Sequence, residues 1–124
     1  MKKLFFLAAV LFSLNVFAQT EKDIQFSTMR HSFGKIAKDK PVTTEFKFTN
    51  ASGKPLIIES ATAECGCTSP EFSKAPVLKG KSAAIKVTYS ANTEGQFTKR
   101  VTVKFANVAE PVILEINGEV EPKS

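Results

Sequence analysis

Two cysteines, Cys65 and Cys67, stand either side of one glycine in Ala63-Glu64-Cys65-Gly66-Cys67-Thr68-Ser69-Pro70-Glu71-Phe72, and the chain has no others. Thiols at this spacing can form a disulfide, work as a redox pair, or offer two soft ligands to a metal. In an extended strand, residues two apart lie on one face, roughly 6.6 Å apart at ~3.3 Å per residue. A disulfide wants Cβ atoms ~3.5 to 4.5 Å apart, so the backbone must tighten at the middle residue, and Gly66 is the type that allows it. Gly66, Thr68 and Pro70 are the residues expected to shape this loop. Closing so small a ring removes little unfolded-state entropy: roughly 1.6 kcal/mol for three residues, against about 4.7 for a hundred. Such a bridge is a poor staple. A strained bridge is more easily reduced, as labile and redox-active pairs are. The plainer reading is a pair of loop residues that oxidise after export.

As metal ligands the two thiolates need company. A closed zinc site takes four ligands, and only His31 is available to join them, with Glu64 or Glu71 as a conceivable fourth. Cu(I) asks for less, because soft thiolate and thioether donors suit it, and Met29, His31, Cys65 and Cys67 form a candidate set if the fold unites the two segments. The competing reading of Met29 and His31 is strand packing and a solvated ring.

Catalytic arrangements have less support. Cys-x-x-Cys at the start of a helix, the usual oxidoreductase device, differs in both spacing and setting. A cysteine nucleophile needs a base, and the one histidine has no recognisable partner. The acids are scattered and no glycine-rich phosphate loop occurs. No catalytic residue is assigned.

The elements that must position the cysteines begin with the N-terminus. Met1-Lys2-Lys3, the apolar run Leu4 to Leu14 and Asn15-Val16-Phe17-Ala18 read as a secretory signal peptide over residues 1–18, with Gln19 as the mature start. The apolar run is shorter than the ~20 residues a membrane span needs. No cysteine follows it to be lipidated, so the expectation is an exported protein, periplasmic or secreted, without a membrane span. Residues 19–124 make 106, enough for one domain with one modest core. Without Lys2 and Lys3 the balance is 15 basic against 12 acidic residues, net +3, and the basic residues are spread along the chain. A nucleic-acid binder gathers them on one stripe, so nucleic acid is not an expected partner.

Period-two alternation runs through the mature chain, the pattern of half-buried strands. Val42, Thr44, Phe46 and Phe48 alternate with Thr43, Glu45, Lys47 and Thr49. Ala83, Ile85, Val87 and Tyr89 form a second apolar face, Phe97, Val101, Val103 and Phe105 a third, and Val112, Leu114, Ile116 and Val120 a fourth. Lys99 falls on the inward phase of its run and is expected to snorkel. Leu56-Ile57-Ile58 is apolar on both sides and reads as a more covered strand. Short strands near Gln25 to Met29 and Pro76 to Leu78 bring the number to about seven, with turn signals at Asn50 to Pro55, Lys79 to Ser82, Asn92 to Gly95 and Asn107 to Pro111. No stretch holds a helical period for three turns. The expectation is all-β: an immunoglobulin-like β-sandwich. With no Trp and with neighbouring cysteines, its core rests on phenylalanines and aliphatics.

His31-Ser32-Phe33-Gly34-Lys35-Ile36, Phe46-Lys47-Phe48-Thr49-Asn50, Lys54-Pro55-Leu56-Ile57-Ile58, Cys65-Gly66-Cys67-Thr68-Ser69-Pro70-Glu71-Phe72, Leu78-Lys79-Gly80-Lys81-Ser82, Ile85-Lys86-Val87-Thr88-Tyr89 and Gly118-Glu119-Val120 together resemble a secreted bacterial family, domain of unknown function 1573. The Cys-Gly-Cys-Thr element is the specific part of the resemblance. The strand and turn elements are shared with wider immunoglobulin-like relatives of major sperm protein and Hydin repeats. Lys79 departs from the proline that such members typically carry there. The resemblance implies an immunoglobulin-like sandwich in the bacterial envelope and brings no activity with it.

Asn50-Ala51-Ser52 matches a glycosylation sequon and reads as a turn with Asn50 in the tight backbone position. Phe33, Phe46, Phe48, Phe72, Phe97 and Phe105 suggest a ligand pocket or, more simply, a core. The functional expectation is a non-catalytic envelope module that binds another protein or a surface polymer, with the Cys65/Cys67 loop as a redox-sensitive or contact element. The alternative is a periplasmic copper-binding or thiol-redox protein using the same cysteines. A pilus-type chaperone shares the sandwich and its edge strands, but it has two domains where this chain has room for one.

Overall fold

The computed structural model of the chain describes residues 23–122. The signal-peptide expectation for residues 1–18 therefore lies outside the described residues. Among the described residues eight strands follow in order: β1 Ile24–Phe26, β2 Arg30–Ala37, β3 Val42–Asn50, β4 Ile58–Ala63, β5 Thr68–Glu71, β6 Ser82–Tyr89, β7 Gly95–Phe105 and β8 Val112–Glu121. They form two four-stranded sheets, ordered β1-β3-β6-β5 and β2-β8-β7-β4. Neighbours are antiparallel except β2 and β8, which run parallel. The immunoglobulin-like sandwich expected from the alternation is the fold observed.

The apolar faces pack against one another as period two requires. Phe46, Ile85, Val87, Val103, Phe105 and Leu114 are fully buried, while Glu45, Lys47 and Lys86 on the opposite phase are exposed. Two aromatic pairs join the sheets across the core. Phe48 on β3 meets Phe105 on β7 edge-on at 5.4 Å, and Tyr89 on β6 stacks on Phe97 on β7 at 4.0 Å. Each buried side chain of this size contributes roughly 1.5–3 kcal/mol over its exposed state. Of the six phenylalanines that hinted at a pocket, four are core and Phe33 and Phe72 lie half-buried at its margins. Lys99 is half-buried on its inward phase.

Some local readings shift. β2 and β5 had no alternation to announce them. In β2 the register with β8 breaks between Ser32 and Lys35, where Gly34 takes a left-handed φ of 71°, and that bulge scrambles the period. β5 has only four residues and includes Pro70. The expected strand around Pro76 to Leu78 is reduced to one bridge, Leu56 to Val77. Ile57 is not covered on both sides: Leu56 and Ile58 are buried, but Ile57 points outward at 37% exposure.

Asn50 also differs from its expected role. It ends β3 fully buried, and it is not among the residues with positive φ. Its Nδ2 donates to the carbonyls of Lys54 and Val77, both at 2.7 Å, and its Oδ1 accepts from the Ser52 N–H at 2.8 Å and the Ser52 hydroxyl at 2.6 Å. Its carbonyl accepts the Gly80 N–H at 2.7 Å, and Gly80 is left-handed at φ 79°. One buried side-chain amide thus satisfies groups from two loops, Ser52 and Lys54 between β3 and β4 and Val77 between β5 and β6, as an interior polar side chain must.

Candidate functional site

The segment Glu64 to Cys67 carries the chain from β4 to β5. β4 is the edge of one sheet and β5 the edge of the other, so this short turn bridges the two layers on one side of the sandwich. Both of its ends are anchored. The Glu64 N–H donates to the Arg100 carbonyl at 3.3 Å, and the Glu64 carboxylate accepts the Arg100 N–H at 2.8 Å, which fixes the start of the turn to β7. At the other end the Ser90 N–H donates to the Cys67 carbonyl at 2.9 Å, which fixes it beside β6.

Between these anchors Cys65 and Cys67 are joined as a disulfide, with Cα atoms 5.3 Å apart, closer than an extended strand would hold them. Cys67 packs against the margin of the core and Cys65 is half-buried, while Gly66 is exposed. The tightening does not depend on glycine. Gly66 is not in the left-handed region, and a Cβ built there would meet nothing within 4 Å. Thr68 and Pro70 sit in β5 rather than in the loop. Thr68 pairs with Tyr89, is buried, and places its Oγ1 3.8 Å from each sulfur. Pro70, opposite Val87, stands on the edge strand, where a missing N–H is tolerated.

The remaining sequence candidates are elsewhere. Met29 precedes β2 and His31 lies on it, at the far edge of the sheet from β4. Two strands intervene, a separation of about 14 Å at ~4.8 Å per strand. His31 instead stacks edge-on against Phe33 at 4.6 Å, and Met29 is 46% exposed. The structure therefore brings Cys65 and Cys67 together and leaves Met29 and His31 out. Among the described residues no group of three His, Cys, Asp or Glu is placed to hold a metal ion.

Sequence reasoning missed the surroundings of the turn. Tyr89 is buried behind Thr68, and removal from water pushes its phenol pKa up. The Ser90 hydroxyl is buried without a hydrogen-bond partner among the described residues. Ala91 is fully buried with a left-handed φ of 58°, a conformation ordinarily left to Gly or Asn, and its carbonyl accepts the Asp39 N–H at 2.8 Å. On the outer face next to the turn, Arg100 and Arg30 flank Glu115, at 3.9 and 3.0 Å. The alternation in β7 and β8 puts Arg100 and Glu115 on outward phases, but no pattern in the sequence placed Arg30 beside them.

The family model for a protein of unknown function, DUF1573, matches residues 24–120, which is nearly the whole described sandwich. The chain belongs to this family. Among solved structures, the DUF1573 chain is similar to a protein of unknown function from Porphyromonas gingivalis W83, with a TM-score of 0.68 and 11% identity over 78% of this chain; it spans only 46% of that protein's length. It is also similar to the ASH/PapD-like domain of human CEP192, with a TM-score of 0.73 and 5% identity, covering 96% of this chain and 99% of that one. The YadV chaperone aligns with a TM-score of 0.54 and 15% identity over 82% of this chain and 53% of its own. At such identities the likeness is one of fold. No curated protein matches the sequence. No helix among the described residues is long and apolar enough to cross a membrane.

Proposed function

We propose that this DUF1573 protein is an exported, non-catalytic module of the bacterial envelope, periplasmic or secreted, that binds another protein or a surface polymer at the side of the sandwich where the Cys65-Gly66-Cys67 turn stands. The observation that carries the reading is the anchoring of that turn. Glu64 is held by Arg100 in one sheet and Cys67 by Ser90 beside the other, so an exposed Gly66 is presented on a rigid base. Preorganised surface of this kind binds without paying to order a loop. The disulfide adds redox sensitivity, since its reduction by a dithiol donor takes up two electrons and two protons and leaves two thiols. Cysteine-dependent partner capture is the test. A photo-crosslinking residue at position 66, which has room for a side chain, is expected to yield a discrete adduct in the cell envelope that is lost in the Cys65→Ala/Cys67→Ala variant. A hydrolase or oxidoreductase activity in the purified protein would sink the module reading.

The second reading, a thiol-redox or Cu(I)-binding protein, is favoured by one observation: Thr68 Oγ1 lies 3.8 Å from both sulfurs, where its hydroxyl can donate to a thiolate. Cu(I) would then take Cys65 and Cys67 alone from this chain. Alkylation of thiols at lysis, followed by native mass spectrometry, separates the readings: two alkyl groups or a retained copper supports the second, and a mass two hydrogens short supports the disulfide module.

A further inference from the structure

The outer face of the β2-β8-β7-β4 sheet carries a cross-strand row of three charges. Glu115 on β8 lies opposite Arg30 on β2 and Arg100 on β7. Arg30 Nε approaches one carboxylate oxygen at 3.0 Å, and Arg100 Nε approaches the other at 3.9 Å. The Glu115 side chain is only 18% exposed, whereas those of Arg30 and Arg100 are 74% and 57% exposed. Two cations therefore share one anion, and neither guanidinium bonds to any other described residue. Exposed ion pairs are worth ~0–1 kcal/mol, so stability alone gives little reason for the second arginine.

The row is held in place by its neighbours. Thr28 Oγ1 donates to the Arg30 carbonyl at 2.8 Å and accepts the Arg30 N–H at 3.3 Å, while the Glu115 N–H donates to the Met29 carbonyl at 2.9 Å. Asn117 Nδ2 donates to Glu115 Oε2 at 3.4 Å. Thr28, Met29, Arg30, Arg100, Ile113 and Glu115 together line a depression of about 480 Å³. Met29 and Ile113 are two of the four large apolar side chains left exposed among the described residues, at 46% and 43%. Glu64, the other carboxylate near Arg100, lines a separate depression with Thr62 and Thr102. The Met29 side of Arg100 therefore combines two positive charges against one negative with two uncovered apolar side chains.

We infer that this depression is a docking site for an acidic segment of a partner protein, in which an aliphatic residue stands two positions from a glutamate or aspartate. The excess positive charge selects an anion, and the planar guanidinium forks of Arg30 and Arg100 match a carboxylate. Ile113 and Glu115 share a face of β8 two residues apart, a spacing of roughly 6.6 Å that an extended peptide repeats. The peptide's carboxylate thus reaches the arginines while its aliphatic side chain covers Ile113 and Met29. The unbranched Met29 thioether adapts to such a contact. An anionic glycan supplies the charge but no aliphatic side chain, and so uses half of the site. The site needs neither sulfur nor Gly66, and it goes beyond the reading given for the Cys65–Cys67 turn.

The test is an NMR titration of the ¹⁵N-labelled protein with an end-capped synthetic peptide carrying isoleucine, threonine and glutamate in that order between serines. Saturable shifts are expected at the amides of Arg30, Arg100, Ile113 and Glu115. The same peptide with glutamine for glutamate is expected to bind about tenfold more weakly, as is the parent peptide to Arg30→Gln or Arg100→Gln. Binding of the parent peptide is expected to weaken as salt rises from about 50 to about 300 mM. Replacing the peptide's isoleucine by serine, or Ile113→Ser in the protein, is expected to weaken binding about fivefold. If a variant fails to fold, the peptide comparisons on the unaltered protein still decide. Absence of shifts at about 5 mM peptide, shifts centred away from these residues, or equal affinity for the glutamine peptide would each overturn the inference. Polygalacturonate binding at the same residues as tightly per carboxylate would overturn the choice of a protein partner. A failed titration with cysteine-dependent capture intact removes only this site, whereas a saturable titration with no capture at position 66 removes only the turn as a contact.

Discussion

The Cys67 carbonyl accepts the Ser90 N–H at 2.9 Å, so the disulfide turn hangs from the end of β6 as well as from β7. That relationship makes the turn part of the sandwich, and it separates what the disulfide contributes to stability from what its neighbours contribute.

Cys65→Ala/Cys67→Ala is expected to stay folded and to lose about 1–2 kcal/mol, the small-ring value, because the Ser90 and Arg100 anchors run to the Cys67 carbonyl and to Glu64 and use neither sulfur, so they survive the change. Urea denaturation with and without reductant checks this. Loss of the folded baseline would mean that the bridge holds the two edges itself.

Asn50→Ala is expected to cost about 2–4 kcal/mol, since it strips partners from the Lys54 and Val77 carbonyls and from Ser52 inside the protein. Asn50→Asp should be no milder, because a carboxylate cannot donate to either carbonyl. A thermal melt in which the alanine variant matches the parent would refute the hub role.

Gly118 and Gly66 make a matched pair. A Cβ at Gly118 would stand 2.8 Å from the Gly34 carbonyl oxygen and 2.9 Å from the Phe97 ring, so Gly118→Ala is expected to destabilise by about 1–3 kcal/mol. Gly66→Ala meets nothing and should stay within about 0.5 kcal/mol of the parent. Denaturant midpoints of the two variants measured side by side give the comparison.

Burial raises the Tyr89 phenol pKa above its ordinary value of 10.0. The folded state thus holds the proton more tightly than the unfolded chain. The associated stability is fully present below the unfolded pKa and is lost as pH rises through the folded one. Stability should fall with alkaline pH from about 10 upward, and the fall should be shallower in Tyr89→Phe. Equal slopes in the two proteins would remove Tyr89 from the account.

Period-two alternation in β3, β6, β7 and β8 was enough to determine an all-β sandwich and its core, because a strand with one buried face must write that face into every second residue. The cysteine pair was legible for the same local reason: two residues apart, its geometry depends on almost nothing else. β2 and β5 were not legible, one broken by the Gly34 bulge and the other too short to show a period. Only the tertiary structure decided what surrounds the pair. Strand order put β4 and β5 at facing edges and so made the Cys65–Cys67 turn a bridge between layers, while it carried Met29 and His31 to the opposite edge. It also turned Asn50 from an expected turn residue into a buried hub. These are contacts between residues distant in the chain, fixed by how the sheets pair and stack, and no local pattern of side chains encodes them.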